Sequence, residues 1–204
     1  MRLFVGKRSL VFNNYNTPNT VFRGYLIGGA VVVTDINEAR KLYSMGFYGK
    51  FVNEDKVKLN EVEGVTTPLQ LSIVEALYLM DKGLLEILDP NGNKLSRDDL
   101  LRAGRNTVTN FDQVYAIYRE LKEGGFVVKS GLKFGSLFAV YERGPGIDHA
   151  PVLLHFIEPR RAVSALDITR AARLSHSVNK RFVLATQSEV DGKIHYVAFE
   201  WWRA

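Results

Sequence analysis

The chain has no cysteine. Disulfides and thiolate metal sites are therefore excluded, and the composition suits a reducing compartment, the cytoplasm being the expected one. Long apolar runs are missing too, so no segment has the length of a bilayer-spanning helix. The N-terminus lacks the form of a signal peptide, because Lys7-Arg8 and Asn13-Asn-Tyr-Asn16 interrupt it. There are no internal repeats and no low-complexity tract. Acidic residues are scarce in one stretch. Between Arg160 and Arg181 six basic side chains (Arg160, Arg161, Arg170, Arg173, Lys180, Arg181) stand against the single acid Asp167. A solvated helix face explains such a cluster, and so does an acidic partner such as RNA. What remains is ordinary for a globular protein: 204 residues, 46% hydrophobic, 24% charged, with net charge +5. That length supports one large or two small domains with real cores.

Patterning predicts an α/β fold of mixed α+β type, divided into residues 1–106 and 107–204. In the first part Tyr25-Leu-Ile27 and Ala30-Val-Val-Val33 read as strands around Gly28-Gly29. Asp35 offers a helix N-cap, with Glu38 placed to complete a capping box. That helix runs through Ala39-Arg-Lys-Leu-Tyr43 and stops at Gly46. Thr67-Pro68 opens a second helix with proline at its first position. It carries Leu69, Leu71, Ile73, Val74, Leu77 and Leu79 to near Gly83. Asp89-Pro-Asn-Gly-Asn93 is a turn, and Ser96 starts a third helix. Periodicity fades over residues 104–110, where the boundary is placed.

The second part opens with a helix from Phe111 to Leu121, ended by Gly124-Gly125. Strands follow at Phe126-Val-Val-Lys129, Phe138-Ala-Val-Tyr141 and Val152-Leu-Leu-His-Phe-Ile157. Ser164 and Asp167 cap a helix that buries Leu166, Ile168, Ala171, Leu174 and Val178. Arg181-Phe-Val-Leu-Ala-Thr186 and a strand from Ile194 to Trp202 form a hairpin around Asp191-Gly192. The expected architecture is a small α/β N-terminal domain followed by a C-terminal α/β domain with a mixed central sheet.

Three spaced residues in this second part carry chemistry. Tyr141 ends a strand before the loop Arg143-Gly-Pro-Gly146, His149 lies in that loop, and Lys180 follows a helix. A phenol, an imidazole and an ammonium suffice for metal-free cleavage of RNA. One takes the 2′-hydroxyl proton, one protonates the leaving 5′-oxygen, and one stabilises charge on phosphorus. An ordinary tyrosine titrates near ~10, so a nearby Lys180 is expected to favour the phenolate. Histidine near ~6.5 suits the general acid. Each residue taken alone also reads as a solvated side chain. His155 alternates within an apolar strand and reads as structural. Arg173, His176, Ser177 and Lys180 fall at the spacing of one helical face.

The words around these residues are more specific. Val127-Val-Lys-Ser-Gly-Leu-Lys-Phe-Gly135, Phe138-Ala-Val-Tyr141, His149-Ala150 and His176-Ser-Val-Asn-Lys-Arg-Phe-Val-Leu-Ala185 resemble the archaeal tRNA-splicing endonuclease family. A looser match joins Arg23-Gly-Tyr-Leu26, Ala39-Arg-Lys-Leu-Tyr43 and Gly46-Phe-Tyr-Gly49. The resemblance implies a catalytic subunit that excises introns from precursor tRNA at a bulge–helix–bulge. It implies Tyr141 as general base, His149 as general acid and Lys180 as electrostatic stabiliser, with neither metal nor other cofactor. Arg173 matches an arginine that holds a bulged base, although a plain surface arginine reads the same. Glu189 and Asp191 match an acidic loop that enters a neighbouring subunit, although a polar hairpin tip reads the same. The partners implied are precursor tRNA and either further copies of the chain or a structural subunit in a heterotetramer, with no membrane. Trp201 and Trp202 point to opposite faces of the last strand, one in the core and one at an interface or RNA.

Two other readings compete. One is a metal-dependent nuclease, through the acid-x-Lys element Asp191-Gly-Lys193. The other is a non-catalytic structural or RNA-binding subunit of the same complex.

Overall fold

The computed structural model describes residues 21–54, 57–148, 152–177 and 180–199. His149, Val178, Trp201, Trp202 and the N-terminal residues 1–20 lie outside the described residues. Internal packing divides the chain into two units. One runs to Arg119 and includes Pro145–Ile147; the other holds Glu120–Gly144 and the chain from Asp148 onward.

The first unit is built on a five-stranded mixed sheet. Strands β1 (Phe22–Ile27) and β2 (Ala30–Val33) form an antiparallel hairpin. Its two-residue turn needs positive φ twice, and Gly28 and Gly29 supply +57° and +84°. Helix α1 (Ile36–Gly46) starts at Asp35, whose carboxylate accepts the Glu38 N–H at 2.9 Å. Glu38 does not close the expected capping box. Its carboxylate accepts the Arg23 N–H at 2.9 Å and ties the helix to β1. Short strand β3 (Lys50–Phe51) then pairs with β4 (Leu69–Ser72), and with β5 (Leu85–Leu88) the order is β3-β4-β2-β1-β5.

Strand β4 corrects the sequence reading, which starts a helix at Pro68. Leu69 and Leu71 are buried while Gln70 and Ser72 are exposed, a period of two that suits an extended chain. Helix α2 (Ile73–Asp81) begins only after Ser72, which forms a capping box with Glu75. Strand β5 (Leu85–Leu88) lies parallel to β1 at the sheet edge. Helix α3 (Arg97–Thr107) is capped by Ser96 and Asp99, as its sequence suggests. Gly104 lies inside α3, because a Cβ there would stand 2.4 Å from the ring of Phe111. That ring opens helix α4 (Phe111–Glu123). The fading periodicity around Gly104 is thus a packing contact between two helices.

The second unit is a five-stranded sheet whose strands are, from one edge to the other, 194–199, 181–187, 152–156, 138–141 and 127–130. Strands β6 (Val127–Ser130), β7 (Phe138–Tyr141) and β8 (Val152–Phe156) run antiparallel. Helix α5 (Ala165–Ser177) then returns the chain, so that β9 (Arg181–Gln187) lies parallel to β8. Strand β10 (Ile194–Phe199) closes the sheet antiparallel to β9. Both sheets are therefore mixed, as was expected of the second one alone. Ser164 and Asp167 cap α5, with the Ser164 hydroxyl donating to the carboxylate at 2.7 Å. Leu166 is not buried as the pattern suggests: it is 55% exposed. It stands in the first turn, where a helical side chain points back off the N-terminal end. Ile168 and Ala171 are half-buried. Among the described residues no helix is long and apolar enough to cross a membrane.

Candidate active site

Strand register brings two of the three sequence-selected residues together. Val140 lies opposite Val152, and Val152 lies opposite Arg181. Tyr141 follows Val140 and Lys180 precedes Arg181. Both therefore leave the same end of the sheet, two strands apart, with backbones separated by about 10 Å. Phe134 lies close to the surroundings of both side chains: its ring packs on the same buried pair as Tyr141, namely Ala139 and Leu153, and carries Lys180 over it. The Lys180 Nζ sits 5.5 Å from the Phe134 ring centroid.

The electrostatics differ from the sequence reading. Burial raises the Tyr141 phenol above its ordinary pKa, and the Asp148 carboxylate raises it further. Lys180 therefore does not bring the phenol down to a phenolate at neutral pH. The ammonium itself is lowered, first by burial and then by the like charge of Lys133. Lys180 also does not share a helical face with Arg173, His176 and Ser177. Helix α5 ends at Ser177, and pairing of β9 with β8 needs an extended chain from Arg181.

The loop after Tyr141 is folded tightly back on itself. The Asp148 carboxylate accepts the N–H groups of Glu142 at 3.1 Å, Arg143 at 3.1 Å and Gly144 at 2.8 Å. The Asp148 N–H donates to the Gly144 carbonyl at 3.1 Å. Gly144 and Gly146 take φ of +132° and +82°, which explains the glycines of Arg143-Gly-Pro-Gly146. Asp148 is thus anchored at the end of β7. His149, the next residue, lies outside the described residues.

The remaining candidates lie elsewhere on the same unit. Arg173 is exposed on α5. Glu189 pairs with Arg160 at 2.5 Å. Asp191 caps its own turn, accepting the Lys193 N–H at 3.1 Å, with the Lys193 ammonium 3.6 Å away. Between the two acids Val190 is 98% exposed. His155 is half-buried on β8, edge-on to Phe182 at 4.8 Å, and burial lowers its pKa. It is a neutral packing residue, as its alternation suggests.

Sequence reasoning names no role for Lys133, Phe134 or Asp148. For Asp148 a signal was present, since an Asp closing a Gly/Pro turn commonly accepts nearby backbone N–H groups. For Phe134 and Lys133 only the fold reveals the contact with Lys180.

Comparison with known proteins places both units in one class of RNA-processing nuclease. The tRNA intron endonuclease N-terminal domain matches residues 22–101, and the tRNA intron endonuclease catalytic C-terminal domain matches residues 111–196. A tRNA-splicing endonuclease of Pyrobaculum islandicum is 52% identical over 179 residues, covering 88% of this chain and 98% of the relative. A tRNA-splicing endonuclease of Hyperthermus butylicus is 41% identical over 181 residues, covering 89% and 98%. One of Saccharolobus islandicus is 36% identical over 179 residues, covering 88% and 97%. The chain belongs to the tRNA intron endonuclease family.

Proposed function

We propose that the chain cuts precursor tRNA at bulge–helix–bulge intron borders without a metal ion. Residues 107–204 act as the catalytic domain. The observation that carries this reading is that Tyr141 and Lys180 leave the same end of one sheet, in a chain whose relatives are named tRNA-splicing endonucleases. Tyr141 takes the proton of the ribose 2′-hydroxyl as that oxygen bonds to phosphorus. His149 gives its proton to the 5′-oxygen as the phosphorus–oxygen bond breaks. The products are a 2′,3′-cyclic phosphate and a 5′-hydroxyl. Lys180 stabilises the added negative charge on the phosphorane oxygens. Arg173 stacks its guanidinium on a bulged base. The hairpin tip bearing Glu189 and Asp191 docks on a second subunit, so that two sites act at a fixed separation.

Purified chain, incubated in EDTA with a bulge–helix–bulge RNA, tests the reading when the new ends are mapped. Cuts at both bulges with cyclic phosphate ends are expected. Cleavage that appears only on adding Mg²⁺ would sink the metal-free mechanism. Cleavage that appears only on adding a structural subunit would assign the chain to a heterotetramer.

Asp148 acts here as a positioning residue. Asp148→Ala frees three backbone N–H groups at the root of the loop that leads to His149. A shift of about 1 Å in a reacting group costs about 10²-fold in rate. The expected result is kcat lower by about that factor with KM unchanged, read by single-turnover kinetics. A variant with wild-type kcat would show that the carboxylate only finishes the turn.

A further inference from the structure

The turn between β6 and β7, Gly131-Leu-Lys-Phe-Gly135, supplies no member of the catalytic trio, yet it is tightly constrained. Leu132–Phe134 form a single 3₁₀ turn. The Gly131 carbonyl accepts three donors: the Phe134 N–H at 2.8 Å, and the Ser136 N–H and hydroxyl, each at 3.1 Å. Ser136 is buried. A Cβ on Gly131 would lie 2.2 Å from the Ser136 hydroxyl and 2.8 Å from its carbonyl oxygen, so only glycine fits. Gly135 closes the turn at φ +63°. These constraints fix the ring of Phe134, which packs against Ala139 and Leu153 as Tyr141 does.

Two ammoniums share that ring. Lys133 Nζ lies 5.0 Å and Lys180 Nζ lies 5.5 Å from the Phe134 centroid. Each distance is within the range of cation–π attraction. The pair repel one another, and the charge of Lys133 is felt at Lys180. A fold that holds two like charges against one ring presents a positive site suited to a group with more than one anionic oxygen. A phosphodiester under attack by its own 2′-oxygen is such a group, since charge rises on both non-bridging oxygens. Lys133 is exposed and Lys180 is half-buried, so the first meets the strand as it docks and the second stays near the reacting atoms.

We propose that Lys133 is a second phosphate-contacting residue of the cleavage site, and that Phe134 is the positioning residue that sets both ammoniums. This assignment rests on the cleavage reading above. It names a contact made on binding, which separates it from the electrostatic role of Lys180.

The test uses the full chain and a bulge–helix–bulge RNA with 2′-deoxyribose at each cut site, so that binding is seen without cleavage. Affinity is measured across salt concentrations for the parent chain, Lys133→Gln and Lys133→Arg. Loss of one phosphate contact should make the slope of log affinity against log salt shallower by about 0.7–1. Lys133→Gln should show that change, with affinity weaker by about tenfold at low salt; Lys133→Arg should restore both. On the cleavable RNA, Lys133→Gln should raise KM more than it lowers kcat. Phe134→Ala should lower kcat, and Phe134→Trp should recover it by keeping a cation–π face. If the parent cuts the RNA and Lys133→Gln keeps its slope and KM, the assignment is overturned while the cleavage reading stands. If the parent neither binds nor cuts, with or without a structural subunit, both fall.

Discussion

Replacing Tyr141 by phenylalanine is expected to lower kcat by about 10²–10⁴-fold, the range lost with a general base, while RNA binding and the unfolding midpoint stay put. The ring keeps its contact with Ala139 and Leu153, so the loss isolates the hydroxyl. The pH profile of the parent enzyme carries a second signature. The proposed reaction needs a phenolate and an imidazolium at once. Tyr141 titrates above its ordinary value of about 10, because burial and Asp148 oppose the phenolate. The proposed acid, His149, must hold its proton while Tyr141 has lost one. At a pH low enough that the imidazolium is fully formed, the rate falls about tenfold per pH unit as phenolate is lost. Above that range, each gain in phenolate is offset by a loss of imidazolium. The expected profile is a broad flat top from about pH 7 into the alkaline range. A sharp optimum near pH 7 would contradict the assignment of Tyr141 as base.

The charge of Lys180 bears on the alkaline end of that plateau. Its ammonium is lowered by burial and by Lys133, whereas the phenol is raised. Lys180 therefore loses its charge at a lower pH than an ordinary lysine. Lys180→Ala is expected to cost about 10²–10³-fold in kcat, as removal of one donor to a developing oxyanion does. Lys180→Arg keeps a charge at every accessible pH. It should recover part of the rate and carry the alkaline limb to higher pH. An unchanged limb in Lys180→Arg would mean that another group sets it. A Lys180→Ala variant with parental kcat would remove the lysine from the mechanism.

The sequence made much of this legible, and the failures have physical causes. Ser96, Ser164 and the Gly28-Gly29 turn are local signals that need only near neighbours, and all three are observed. The missed strand β4 is also a local matter. Ser72 and Glu75 spell a capping box just ahead of Ile73, but Thr67-Pro68 offers a competing start. Leu166 fits a helical stripe, yet lies where the helix end leaves it uncovered. The identities of Tyr141 and Lys180 came from the words around them; their convergence did not. It depends on β8 lying parallel to β9 across a helix, a non-local pairing that no window of sequence contains. The contact of Lys133 and Lys180 through Phe134 likewise exists only once β7, β8 and β9 are aligned. The mutual effect of burial and Asp148 on the phenol follows from the folded loop, and it overrules the simple expectation from a nearby lysine.

The alignment of β7, β8 and β9 has a consequence for how this chain can change over time. The distance between the backbones of Tyr141 and Lys180 is counted in whole residues along a ladder. A loop outside that ladder, such as Ser188 to Lys193, can lengthen without altering the count. A single residue added within β8 turns every following side chain to the opposite face. Leu154 and Leu153 would trade faces, and Tyr141 would fall out of step with Lys180. Drift is thus free in the connections and quantised in the strands, so variation in this enzyme should collect where the counting stops.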